Sequence, residues 1–120
     1  MITHLKFASV ACRDQDKALK FWTEKVGFRV VTDQPMGAQR WIELAIHNSE
    51  TRLVLFTPEG QEGRVGGFFN GSFACDDVEA TYRQLSARGV QFRGPPEKQP
   101  WGTFVVMIDD EGNAFVVGSK

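Results

Sequence analysis

With 120 residues, 42% of them hydrophobic and ten of them Phe, the chain can bury a core of its own without disulfides or a structural metal. A net charge of −1, with no two Lys or Arg adjacent, gives no electrostatic footing for nucleic acid or an anionic membrane surface. No apolar stretch approaches the roughly 20 residues of a membrane span, no signal-peptide core opens the chain, and two Cys without zinc-type spacing fit free thiols, so a soluble cytoplasmic protein is expected.

Met1–Cys12 is short, apolar and compatible with a strand, and Asp14 then supplies a helix start. Ala18, Leu19, Phe21, Trp22 and Val26 recur at helical spacing, which predicts a helix over 16–26 closed by Gly27. Phe28–Thr32 resumes a strand, and Asp33–Ala38, holding Pro35 and Gly37, reads as a loop. Strands at Arg40–Ile46 and Thr51–Phe56 flank the turn signal His47–Ser49. Thr57–Gly67, with one Pro and four Gly, is a connector and lacks the spacing of a phosphate-binding loop.

The same order then returns. Strand Phe69–Cys75 leads through Asp76 and Asp77 into a helix with Val78, Tyr82 and Leu85 on one face, closed by Gly89. Val90–Arg93 follows as a strand, Gly94–Pro96 breaks it, and strands at Thr103–Ile108 and Ala114–Gly118 flank the turn Asp110–Asn113. An offset of 63 superposes Val10–Asp14 on Phe73–Asp77, and an offset of 62 superposes Gly27 on Gly89, a one-residue slip within the helix. A βαβββ unit repeated at a fixed offset outranks any single motif. The expected organisation is one domain over 1–120, with module one at about 1–58, a linker at about 59–67 and module two at about 68–120.

Val10, Asp14, Ala18, Phe21-Trp22 and Gly27-Phe28 stand at a spacing that resembles the opening signature of glyoxalase-type modules, which carry Phe-Tyr where this chain has Phe-Trp. Pro100–Thr103 and the turn Asp109–Asn113 ahead of a final apolar strand are similar to the family's closing pattern, with Asp110 in place of its Pro. Over essentially its whole length the chain resembles the vicinal-oxygen-chelate superfamily of glyoxalases, bleomycin resistance proteins and extradiol dioxygenases. The resemblance implies an α+β fold in which two βαβββ modules form an incomplete eight-stranded barrel around a cavity, with the helices outside. It also implies a homodimer, which is common in the family.

Period-two alternation sorts the strand residues into faces. Ile42, Leu44 and Ile46, Leu53 and Leu55, Phe104, Val106 and Ile108, and Phe115 and Val117 form apolar rows suited to the side under the helices. Cys12 and Cys75 share that side with Val10 and Phe73, as small buried hydrophobes rather than a redox pair. The opposite face carries Phe7, Ser9, Trp41, Glu43, Arg52, Val54, Phe56, Asn70, Ser72, Trp101, Thr103, Val105, Met107, Ala114 and Val116. Aromatic walls with a few polar groups are what a small-molecule pocket looks like, although some of these side chains could simply fill a barrel. The predicted ligand-binding residues are Phe7, Ser9, Trp41, Arg52, Val54, Phe56, Asn70, Ser72, Trp101, Thr103 and Val116.

Metal-dependent members of the superfamily place four His/Glu-type ligands on four inward strands. Carried over one by one, those positions fall on Phe7, Val54, Asn70 and Val116. Three of these cannot donate an electron pair and a lone amide is a poor ligand, so no metal and no other cofactor is expected. His4 lies three residues from the nearest ligand position and His47 lies in a turn, so neither restores the site. The expected function is therefore metal-free binding of a small aromatic or amphipathic molecule. The alternative is a lyase, isomerase or dioxygenase of the glyoxalase superfamily, for which Glu43 is the candidate catalytic base unless it merely pairs with Arg52 across adjacent strands. A regulatory module acting through its surface has no charged patch to support it.

Overall fold

The computed structural model describes residues 1–67, 69 and 71–119. The order is β1 (Phe7–Ala11), α1 (Gln15–Lys20) running on into a π-helical turn (Phe21–Lys25), β2 (Arg29–Met36), β3 (Gln39–Ala45) and β4 (Arg52–Phe56). A 3₁₀ turn (Glu62–Arg64) in the connector precedes β5 (Ser72–Cys75), α2 (Val78–Ala87), β6 (Gln91–Phe92), β7 (Glu97–Gln99), β8 (Gly102–Ile108) and β9 (Ala114–Ser119). The fold is α+β with two mixed sheets, one in the order β1-β4-β3-β2 and the other in the order β5-β9-β8-β6, with β7 also pairing β8. In both, the first strand runs parallel to the last, as the crossover through a helix requires, and the described residues form no closed barrel.

The repeat is visible in the caps. Asp14 accepts a hydrogen bond from the Lys17 amide at 3.1 Å and Asp77 one from the Ala80 amide at 3.0 Å, so each helix opens on an equivalent carboxylate. Each closes on a glycine in left-handed backbone, Gly27 at φ +96° and Gly89 at φ +90°. The one-residue slip between these landmarks is the π-helical turn at Phe21–Lys25, which takes up the extra residue without moving either cap.

Three strand expectations change, the first being β7, which pairs β8 in a segment expected to be a loop between strands. Asp33–Met36 belongs to β2 rather than to a loop, and Gly37 (φ +63°) and Ala38 make the hairpin turn to β3. Pro35 is tolerated because β2 is an edge strand. In the second sheet, β8 presents the opposite face from the one expected. Val105 pairs Val117 and Met107 pairs Phe115, and all four are buried under the helices. Phe104, Val106 and Ile108 therefore stand on the other side.

One apolar cluster joins the two modules. Val10, Phe21, Trp22, Ile42, Leu44, Leu53 and Leu55 from the first pack into the same core as Val78, Leu85, Val105, Met107, Phe115 and Val117 from the second. Its centre is Trp22, 0% exposed, stacked on Phe28 at 5.5 Å and meeting Phe73 at 5.8 Å and Phe115, edge to face, at 5.0 Å. The helix-covered sides of both sheets thus meet inside the chain, and each sheet's other face is turned away from the shared core.

A buried polar clamp completes the joint. The Asn113 amide donates to the Ala11 carbonyl at 2.9 Å and to the Asp109 carboxylate at 2.8 Å, and its oxygen accepts from the Gly66 amide at 2.6 Å. Asn113→Leu would strand the buried Ala11 carbonyl and the part-buried Gly66 amide and cost the Asp109 carboxylate one of its hydrogen bonds, each lost partner costing about 1–3 kcal/mol where the group is buried. We expect the variant to lose at least about 3 kcal/mol in urea unfolding; a loss within experimental error would show that the clamp is dispensable.

Candidate functional site

The open face of the first sheet is built by register. Phe7, Arg52, Ala45 and Arg29 form one row across β1, β4, β3 and β2, and Ser9, Val54, Glu43 and Thr32 form the next. Ala11 and Phe56 begin a third, on the side of Trp41. The Phe7 and Trp41 rings meet edge to face at 5.4 Å, bridging the row that holds Val54, which is 1% exposed although it stands on the open side. The Trp41 indole N–H donates to the Glu43 carboxylate at 3.3 Å. Arg52 stands opposite Ala45, not Glu43, and the expected Glu43–Arg52 pair is not among the ion pairs of the described residues.

The second sheet's open face carries the row Ser72, Val116 and Val106, with Phe104, Ile108 and Ala114 beside it. Trp101, 71% exposed, stacks on Phe104 at 5.5 Å with planes 21° apart. The single proton of the exposed Ser72 hydroxyl is shared between the Val116 carbonyl at 3.2 Å and the Phe73 carbonyl at 3.3 Å, which leaves its oxygen as an acceptor.

Of the sequence-predicted residues, Phe7, Ser9, Trp41, Glu43, Arg52, Val54 and Phe56 share one face, and Ser72 and Val116 share another. The two groups do not face each other within the chain, because the core lies between them. Thr103 falls on the helix side with Val105 and Met107, a correction that follows from the reversed face of β8. Asn70 lies outside the described residues. Phe104, Val106 and Ile108 replace Thr103, Val105 and Met107 on the open side. The repeat carries the signal for this: at an offset of 63, Trp41, Glu43 and Ala45 superpose on Phe104, Val106 and Ile108.

Three of the four side chains at the positions that the resemblance matches to metal ligands offer a metal ion no donor. Phe7, Val54 and Val116 have no lone pair to give, and among the described residues no three His, Cys, Asp or Glu side chains converge. At Cys12 the surroundings disfavour a thiolate. Burial first, and then the nearby carboxylates of Glu111, Asp109 and Asp14, push the Cys12 thiol up to about 12.

The family description Glyoxalase/Bleomycin resistance protein/Dioxygenase superfamily matches residues 2–117. The chain belongs to this superfamily. Among proteins similar to this member, the uncharacterized protein YetH of Bacillus subtilis is 40% identical over 118 residues, covering 98% of each chain. TnmS3, an antibiotic binding protein from Streptomyces sp. CB03234, is 34% identical with a TM-score of 0.86, covering 98% of this chain and 96% of its own. A superfamily member from Sphaerobacter thermophilus is 31% identical with a TM-score of 0.89, covering 99% and 98%. Among the described residues, no helix is long and apolar enough to cross a membrane.

The raised Cys12 value has a definite pH consequence. Below the ordinary thiol value of 9.0 both folded and unfolded chains keep the proton and stability is unaffected. Between 9.0 and about 12 only the unfolded chain ionises, so stability is lost as pH rises through that window. Denaturation midpoints should fall across it for the wild type and fall less for Cys12→Ala; parallel curves would dissociate the loss from Cys12.

Proposed function

We propose that this superfamily member binds a small aromatic or amphipathic molecule on the open sheet faces, without a metal or other cofactor. The observation that carries the reading is the placement of aromatic side chains where the core does not use them. Phe7 meets Trp41 on one open face, and Trp101, stacked on Phe104, projects from the other. The described function of TnmS3, antibiotic binding, supports this reading over superfamily chemistries that run through a metal. The donor-poor positions Phe7, Val54 and Val116 support it as well.

The same reading includes a homodimer. The two open faces point away from the common core, so one chain alone offers two half-sites. A second copy that sets its second-sheet face against the first-sheet face of its partner would enclose a ligand between Phe7 and Trp41 on one side and Trp101 and Phe104 on the other. Met36, Trp101 and Val116 are exposed apolar side chains suited to such a contact. In this reading the whole chain acts as one domain, its modules meeting through the 59–67 connector. The two free thiols, one of them buried, suit a cytoplasmic setting.

Fluorescence titration with a panel of planar aromatic antibiotics tests the proposal. We expect micromolar binding to at least one, weakened about tenfold by Trp101→Ala, since a ring contact plus its buried area is worth about 1.4 kcal/mol. Light scattering should give twice the chain mass. Failure of the whole panel, or affinity indifferent to both Trp41→Ala and Trp101→Ala, would remove the reading.

A further inference from the structure

We propose that the ligand carries a carboxylate, and that Arg52, with Arg29 beside it, receives that group. The inference rests on the small-molecule reading of the first sheet's open face and adds the ligand's chemical class. Arg52 and Arg29 flank Ala45 in one row across β4, β3 and β2, with Phe7 next in the row on the other side of Arg52. Adjacent strands lie about 4.8 Å apart, and two long side chains can converge over the alanine between them, whose methyl leaves them room.

Arg52 is half-buried, and its Nη1, closed off from solvent in the ligand-free chain, has no hydrogen-bond partner among the described residues, so the guanidinium must swing toward the cleft for that nitrogen to meet a ligand. Neither Arg52 nor Arg29 takes part in an ion pair there. A guanidinium is never neutral at accessible pH, so it cannot escape the cost of burial by losing a proton, as a lysine can. The acidic groups nearby do not answer it. Glu43 stands one row over and takes the Trp41 indole N–H, and Glu50 lies 3.5 Å from His4 Nδ1. Arg52, Arg29 and Ala45, together with the turn His47–Glu50, line a cleft of about 480 Å³.

A planar guanidinium fork matches a planar oxyanion in two parallel N–H···O bonds, which favours a carboxylate over a diffuse negative charge. An aromatic body lying against Phe7 and Trp41 would present its acid end to Arg52. The ligand class is thus an aromatic carboxylic acid.

Matched pairs test this: 2-naphthoate against 2-naphthamide, and anthracene-9-carboxylate against its amide, titrated by calorimetry into the full chain. We expect each acid to bind at least tenfold more tightly than its amide in the wild type. In Arg52→Gln the acid should fall to the affinity of the amide, whereas Arg52→Lys should keep part of the preference. The ligand-free melting temperature of Arg52→Gln should hold, because among the described residues the guanidinium makes no ion pair that the substitution would break. Equal binding of acid and amide by the wild type overturns the proposal and leaves the small-molecule reading intact. Binding of neither removes both. A preference that survives Arg52→Gln, or a lowered melting temperature with loss of a dimer, overturns it by giving Arg52 a structural partner instead.

Discussion

The burial of Trp22 is the constraint on which the rest of the molecule depends. Its indole leaves the end of the first helix and packs against Phe73 and Phe115 of the second sheet as well as Phe28 of its own module. A ring of that size fully enclosed contributes several kcal/mol, of the order of the 3–5 kcal/mol lost when a core Trp or Phe is cut to Ala. That contact ties the helix-covered sides of the two modules together. Once those sides are used up, each sheet has only its other face left for chemistry.

The modules reach this arrangement through matched local devices. Asp14 and Asp77 open the helices, and Gly27 and Gly89 let the chain leave them in left-handed backbone. Each glycine faces a cation of the opposite module: the space beside Gly27 is bordered by Arg88 Nη1 and that beside Gly89 by Lys25 Nζ. The π-helical turn lets module one carry one residue more than module two while all four landmarks keep their roles. It also falls where Phe21 and Trp22 enter the core, so the extra residue sets how the helix end meets the other module.

Superfamily membership fixes the scaffold and leaves the chemistry to the open faces. Here those faces hold rings, small apolar side chains and a few polar groups. Glu43 accepts the Trp41 indole N–H on one carboxylate oxygen, a contact that helps orient the indole. Arg52 is the reverse case, a permanent charge with a terminal nitrogen left without a partner.

Much of this was legible in the residues. The duplicated βαβββ order, the Asp and Gly boundaries of both helices, the burial of Cys12 and the residues sharing the first sheet's open face all follow from period, capping chemistry and alternation. Those signals are local, and polar residues such as Ser9, Glu43 and Arg52 fix the phase of the first sheet's strands. On β8 they do not. Phe104, Val106 and Ile108 are as apolar as Val105 and Met107, so alternation has no polar side from which to choose, and only pairing with β9 decides which row goes under the helices. The ladder between β3 and β4 likewise sets Ala45 rather than Glu43 opposite Arg52, and a one-residue change of register would have reversed those faces. The sequence by itself determined which pieces exist and which side chains each strand offers. The tertiary structure alone decided which faces meet, because packing a large indole between two sheets is a contact between residues about 50 and 90 positions apart that no local pattern encodes.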